Sequence, residues 1–159
     1  MVIQEIPQQE TSNSQPPSSG HIPCAPAAIA PAFQFASAFS GTNGFSPTSI
    51  LIELFGWLAS PDASAPALDG ILLGLAGFET EQPNQSDAVL QHIRTAKSLQ
   101  LNGAIEVPFI PAEHLNLSSF ALLPSHPDGI RLTAYHCVHP FVTRQFYASG
   151  ADTVRFTEC

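Results

Sequence analysis

Positive charge is scarce in this chain of 159 residues, which carries five Lys and Arg against 13 Asp and Glu and a formal charge of −8. All five bases (Arg94, Lys97, Arg131, Arg144 and Arg155) follow position 93, and eight of the acids precede it. A surface of that sign repels phosphate backbones and anionic lipid, so nucleic acid and membrane surfaces are not expected partners. Cysteine is equally sparse. Cys24, Cys137 and Cys159 are odd in number and widely spaced, which argues against a disulfide framework and points to a reducing, cytoplasmic compartment. No basic, apolar leader opens the chain, and the longest apolar stretch, Gly70–Phe78, is too short to span a bilayer. Gly-x-Ser-x-Gly elbows and glycine-rich phosphate loops are missing too, so no cofactor is expected.

What is present suits one core. Hydrophobic residues make up 44% of the chain and charged residues 11%, a balance that excludes a wholly disordered polypeptide. Residues 1–31 hold six of the 15 prolines with much Gln and Ser, and read as a flexible tail or linker. Residues 32–159 read as a single domain. Its first stretch carries Phe33, Phe35, Phe39 and Phe45, which a solvated linker would not need. Each buried Phe contributes roughly 1.5–3 kcal/mol, so these rings are expected to pin the segment onto the core.

The pattern predicts about three helices and then a sheet. Ser46 as N-cap and Pro47 at the first helical position open a helix over Pro47–Ala59, with Ile50, Leu51, Leu54, Phe55 and Leu58 as its apolar stripe. A second is expected over Pro66–Ala76 and a third over Asp87–Leu101, closed by Asn102-Gly103. A rival reading of the third places a hairpin turn at Asn102-Gly103, with Leu99 and Leu101 alternating. Strands follow at Ala104–Ile110, Ser118–Leu123, Ile130–His139, Phe141–Ala148 and Thr153–Glu158. His126-Pro-Asp-Gly129 is read as the turn joining the second of these to the third, and Pro140 as a break or bulge. Helices first and strands after give an α+β fold with a four- or five-stranded, mainly antiparallel sheet.

Candidate chemistry gathers in the C-terminal third. In an extended strand Cys137 and His139 share a face and His136 takes the other. Two such ligands hold a zinc ion only if two more arrive, from His114, His126 or Cys24 for instance. No paired-cysteine motif supports that, and no metal site is expected. The remaining histidines admit a hydrolase. The helix opening Phe45-Ser-Pro-Thr-Ser49, followed by a sheet bearing His126, His136 and His139, resembles papain-like and OTU-type peptidases in layout. That resemblance implies a nucleophile at the helix start, where Ser46 or Ser49 stands instead of Cys, and a base at His126 or His139. The leading expectation is different: with no catalytic motif, the chain reads as a non-catalytic module that binds a protein or peptide, such as a segment of a larger polyprotein. The peptidase is the alternative, and whether the chain is an enzyme is left open.

Overall fold

The computed structural model describes residues 24–39, 46–80, 82–120, 123, 126–149 and 155–158. The helices are α1 (Cys24–Ser37), α2 (Pro61–Leu75), α3 (Pro83–Ala96) and the single turn α4 (Pro111–His114), with a 3-10 turn at Gly56–Ala59. The strands in chain order are β1 (Ser49–Phe55), β2 (Ser98–Leu101), β3 (Ile105–Pro108), β4 (Leu115–Ser118), β5 (Gly129–His136), β6 (His139–Ser149) and β7 (Arg155–Glu158). One sheet has the order β4-β1-β5-β6-β7, and β2 and β3 form a separate pair. Only β1 and β4 run parallel within the larger sheet. The fold is α+β, with its helices and strands interleaved along the chain rather than segregated. Among the described residues no helix is long and apolar enough to cross a membrane.

The expected helix over Pro47–Ala59 is a strand. Ile50, Ile52 and Leu54 are buried and alternate with less buried Ser49, Leu51 and Glu53. A run this uniformly apolar satisfies a helical stripe and a two-residue period alike, and pairing with β5 on one side and β4 on the other decides between them. Gly56, at φ +66°, turns the chain out of the strand. A side chain there would collide with the main-chain oxygen of Pro127 and with Asp128 Oδ1. That Asp128 oxygen instead accepts the Trp57 N–H at 2.6 Å.

Other corrections follow. The tail boundary at residue 31 falls inside α1, whose Ala28 and Ile29 are buried. Alanine's helix propensity outweighs the prolines here: Pro26 sits in the first turn, where its missing N–H matters little, and Pro31 is accommodated within the helix. Phe35 and Phe39 are buried, meeting edge-on at 5.3 Å, and Phe39 meets Phe141 of β6 at 5.9 Å. Residues 1–23 and Phe45 lie outside the described residues. The second expected helix begins earlier, at Pro61. The third stops at Lys97, left-handed at φ 56°, so both of its readings are realised in succession: helix to Ala96, then a hairpin in which Leu99 and Leu101 are buried. Asn102 and Gly103 supply the positive φ that this turn requires.

The strand expected at Ser118–Leu123 lies earlier, at Leu115–Ser118, and His126–Gly129 does not join neighbouring strands. β4 runs beside β1, while β5 pairs with β1 and β6. The turn works as a clamp, Asp128 holding Trp57 through its side chain and Ala148 N–H through its main-chain oxygen at 2.8 Å. The strand expected to reach His139 ends at His136. Cys137 and Val138 form the turn into β6, and the irregularity expected at Pro140 is a register shift opposite Ala134 and Tyr135.

The core joins one sheet face, Ile50, Ile52, Leu54, Ile130, Leu132, Ala134 and Phe146, to α1 and α2. The two helices touch where Gly74 presents bare backbone to Ile29, Ala32 and Phe33. Between α2 and α3, Arg94 bonds Asp69. Burial holds the Asp69 carboxyl above its ordinary value, partly offset by Arg94 and reinforced by nearby Asp87. A raised folded-state value means the folded chain binds this proton more tightly than the unfolded chain. This group's contribution therefore falls as pH rises from the ordinary carboxylate value through the raised one. Asp69→Asn should remove that dependence and leave stability at neutral pH within about 0.5 kcal/mol of wild type, because the exposed pair offers little. Urea melts of both proteins across pH 3–7 check this; a clear loss at pH 7 with unchanged acid behaviour contradicts it.

Candidate functional site

The end of the sheet where β5 turns into β6 brings Ser49, Glu113, His114, Tyr135 and Cys137 around one cleft. β1 enters there. Thr48 N–H donates to the Tyr135 carbonyl at 2.7 Å, and Thr48 Oγ1 accepts the Cys137 N–H at 2.7 Å. His136 Nδ1–H donates to the Ser46 carbonyl at 3.2 Å. These bonds tie the Cys137–Val138 turn to the chain entering β1 and hold Cys137 left-handed, at φ 58°. Its thiol is exposed, and because the residue lies in a turn the alternating-face argument for Cys137 and His139 does not apply.

α4 stands beside this turn. It is too short to hold itself together and borrows a side chain: His114 Nδ1 accepts the Ile110 N–H at 2.9 Å. The Phe109 ring stacks on His114 at 6.4 Å and 30°. Between α4 and the β5–β6 turn lies a cleft of about 380 Å³, lined by Ser49, Leu51, Glu113, His114, Tyr135 and Cys137 among others. Its floor is the start of β1, where Ser49 pairs with Tyr135. Among the described residues the Glu113 carboxylate and the Tyr135 hydroxyl have no hydrogen-bond or ion-pair partner.

The four residues singled out in the sequence are divided by this geometry. Ser46, Ser49 and His139 stand at the cleft end, His139 paired with His136 across the turn. His126 is at the other end of β5. Its ring stacks on Tyr147 at 3.9 Å and 13°, and Tyr147 pairs with Gly129. Gly129 to Tyr135 is six strand residues, about 20 Å. His126 therefore does not face Ser46 or Ser49. Among the described residues neither His126 nor His139 bonds a hydroxyl of Ser46, Thr48 or Ser49. With β1 in place of a helix, the helix start that was to hold a nucleophile does not exist. Glu113 and Tyr135 were passed over by sequence reasoning, Thr48 was noticed only as a hydroxyl of the expected helix start, and His114 only as a possible metal donor. A usable signal was Pro-x-Glu-His after an edge strand, a turn that sets a carboxylate beside an imidazole. Among the described residues no group of three or more His, Cys, Asp or Glu is placed to hold a metal ion.

Comparison with known proteins supplies what the geometry alone does not. Residues 15–158 match the family described as the serine dehydratase beta chain. The chain belongs to that family. The L-serine dehydratases of Mycobacterium bovis and Mycobacterium tuberculosis are each 33% identical to it over 85 residues, 52% of this chain. The chain spans 18% of the length of these curated relatives. Membership in the serine dehydratase beta chain family overturns both functional expectations drawn from the sequence. Neither a non-catalytic interaction module nor a papain-like hydrolase describes a family named for eliminating water.

Proposed function

We propose that the chain is the beta chain of an enzyme that removes water from L-serine. The family match over residues 15–158 carries this reading, and the likeness to two L-serine dehydratases supports it. The reaction takes the α-hydrogen and the β-hydroxyl from serine. It leaves 2-aminoacrylate, whose imine tautomer hydrolyses to pyruvate and ammonia. The relatives extend well beyond the matched portion, so the protein partner is the remainder of the dehydratase, and the beta chain works within that assembly. The dehydratase assembled with this chain is expected to release pyruvate and ammonia in equal amounts from L-serine, read by coupled pyruvate reduction and an ammonia assay. No pyruvate from L-serine, with turnover of some other substrate, contradicts the reading.

A further inference from the structure

We propose that the cleft between α4 and the β5–β6 turn binds a small α-amino acid as its zwitterion. His114 takes the carboxylate and Glu113 takes the ammonium. The direction of His114 is set by the backbone. Because Nδ1 accepts the Ile110 N–H, the neutral ring carries its proton on Nε2, on the opposite side from that bond. The stacked Phe109 ring limits its tilt. His114 is thus presented as a donor, and Tyr135 adds a hydroxyl within the same lining.

Glu113, the neighbouring residue, adds a carboxylate that no described cation neutralises. A site with an N–H donor and a free carboxylate side by side discriminates in both directions. A plain anion meets repulsion from Glu113 and from a chain of charge −8, and a plain cation leaves the donors unmatched. A molecule carrying both charges satisfies both sides. The volume, about 380 Å³, lies near the small end of the roughly 300–1,000 Å³ found for ligand pockets, which suits a metabolite. Ser49 on the floor can exchange a hydrogen bond with a polar side chain of the ligand. The zwitterion requirement stands on this geometry, whereas naming L-serine as the amino acid rests on the dehydratase reading above.

The test is calorimetric titration of the full chain with L-serine, L-serinamide and 3-hydroxypropionate, with proton–nitrogen spectra to locate the response. L-serine should bind and shift the resonances of Glu113, His114 and Tyr135. Serinamide, which lacks the carboxylate, and hydroxypropionate, which lacks the ammonium, should each bind roughly tenfold or more weakly. His114→Asn keeps an acceptor for the Ile110 N–H but loses the outer donor, and should weaken L-serine by a similar factor. His114→Gln restores a donor at the outer position and should recover most of the affinity. Glu113→Gln should abolish the preference for serine over hydroxypropionate. If serine binds all variants as it binds wild type, or shifts only residues outside the cleft, the proposal fails. If the assembled enzyme yields pyruvate while this chain shows no response to serine, the cleft assignment fails and the dehydratase reading stands. If the cleft binds serine with this selectivity and no assembly yields pyruvate, the dehydratase reading fails and the zwitterion site stands.

Discussion

Replacing Gly74 by valine should destabilise the fold by about 3 kcal/mol or more, enough to remove much of the stability of a domain this size. The reason is contact between main chains. A Cβ at Gly74 would overlap the carbonyl oxygen of Ile29, and it would lie 2.7 Å from Ala32 Cβ and 2.8 Å from Phe33 N. None of these is the flexible end of a side chain, so relief requires moving α1 away from α2. That motion opens the cluster of Ile29, Ala32, Phe35, Ile71 and Leu75 to water. Gly103→Ala is the control. Nothing lies within 4 Å of its added Cβ, and only its φ of +71° is unfavourable, so a loss of about 1 kcal/mol is expected. Urea unfolding of the two variants separates the cases. Equal losses would show that the α1–α2 contact is looser than described.

Arg131→Met should cost about 2 kcal/mol, and Glu53→Met introduced beside it should return most of that loss. Glu53 on β1 and Arg131 on β5 are register partners joined by two hydrogen bonds, at 2.7 and 3.1 Å. Arg131 also donates to Gln145 on β6 at 3.3 Å and lies 5.0 Å over the Phe55 ring. The Glu53 side chain is 13% exposed against 35% for Arg131, so removing the arginine strands the more buried charge. Breaking a fully buried pair costs about 3–5 kcal/mol, and the partial exposure of Arg131 reduces that. The hydrogen bonds that Arg131 donates to Glu53 raise the guanidinium further above its ordinary value. A single substitution with no effect, or a double substitution worse than the single, contradicts this account of the pair.

Much of the architecture was legible because it rests on local chemistry. Asn102-Gly103 marks a turn of positive φ, and the second half of the sheet follows the alternation of Ile130, Leu132 and Ala134, whereas the left-handed Lys97 that ends α3 ahead of the β2–β3 hairpin was read as part of the helix. What escaped notice has a physical reason in each case. Ser49-Ile-Leu-Ile-Glu-Leu-Phe55 adds Leu51 and Phe55 to the face of Ser49 and Glu53, so its apolar residues fit a helical stripe as well as a two-residue period, and only the pairing with β4 and β5 decides. α1 was hidden by proline composition, although its alanines and Phe35 form a buried face. His-Pro-Asp-Gly129 was recognised as a turn, but its use as a clamp on Gly56 and Trp57 depends on a contact 71 residues distant. The cleft is assembled from Ser49, Glu113, His114 and Tyr135, which share no spacing that a motif could encode. Its only local trace is the adjacency of a carboxylate and an imidazole at Glu113 and His114.

The dehydratase reading is tested most directly by measuring pyruvate release from L-serine by the assembled enzyme with this chain present and with it omitted. The account predicts equimolar pyruvate and ammonia when the chain is present, and a rate lower by roughly tenfold or more when it is absent, since a beta chain is a working part of the enzyme. An undiminished rate without the chain, or no pyruvate from L-serine in either case, would contradict it.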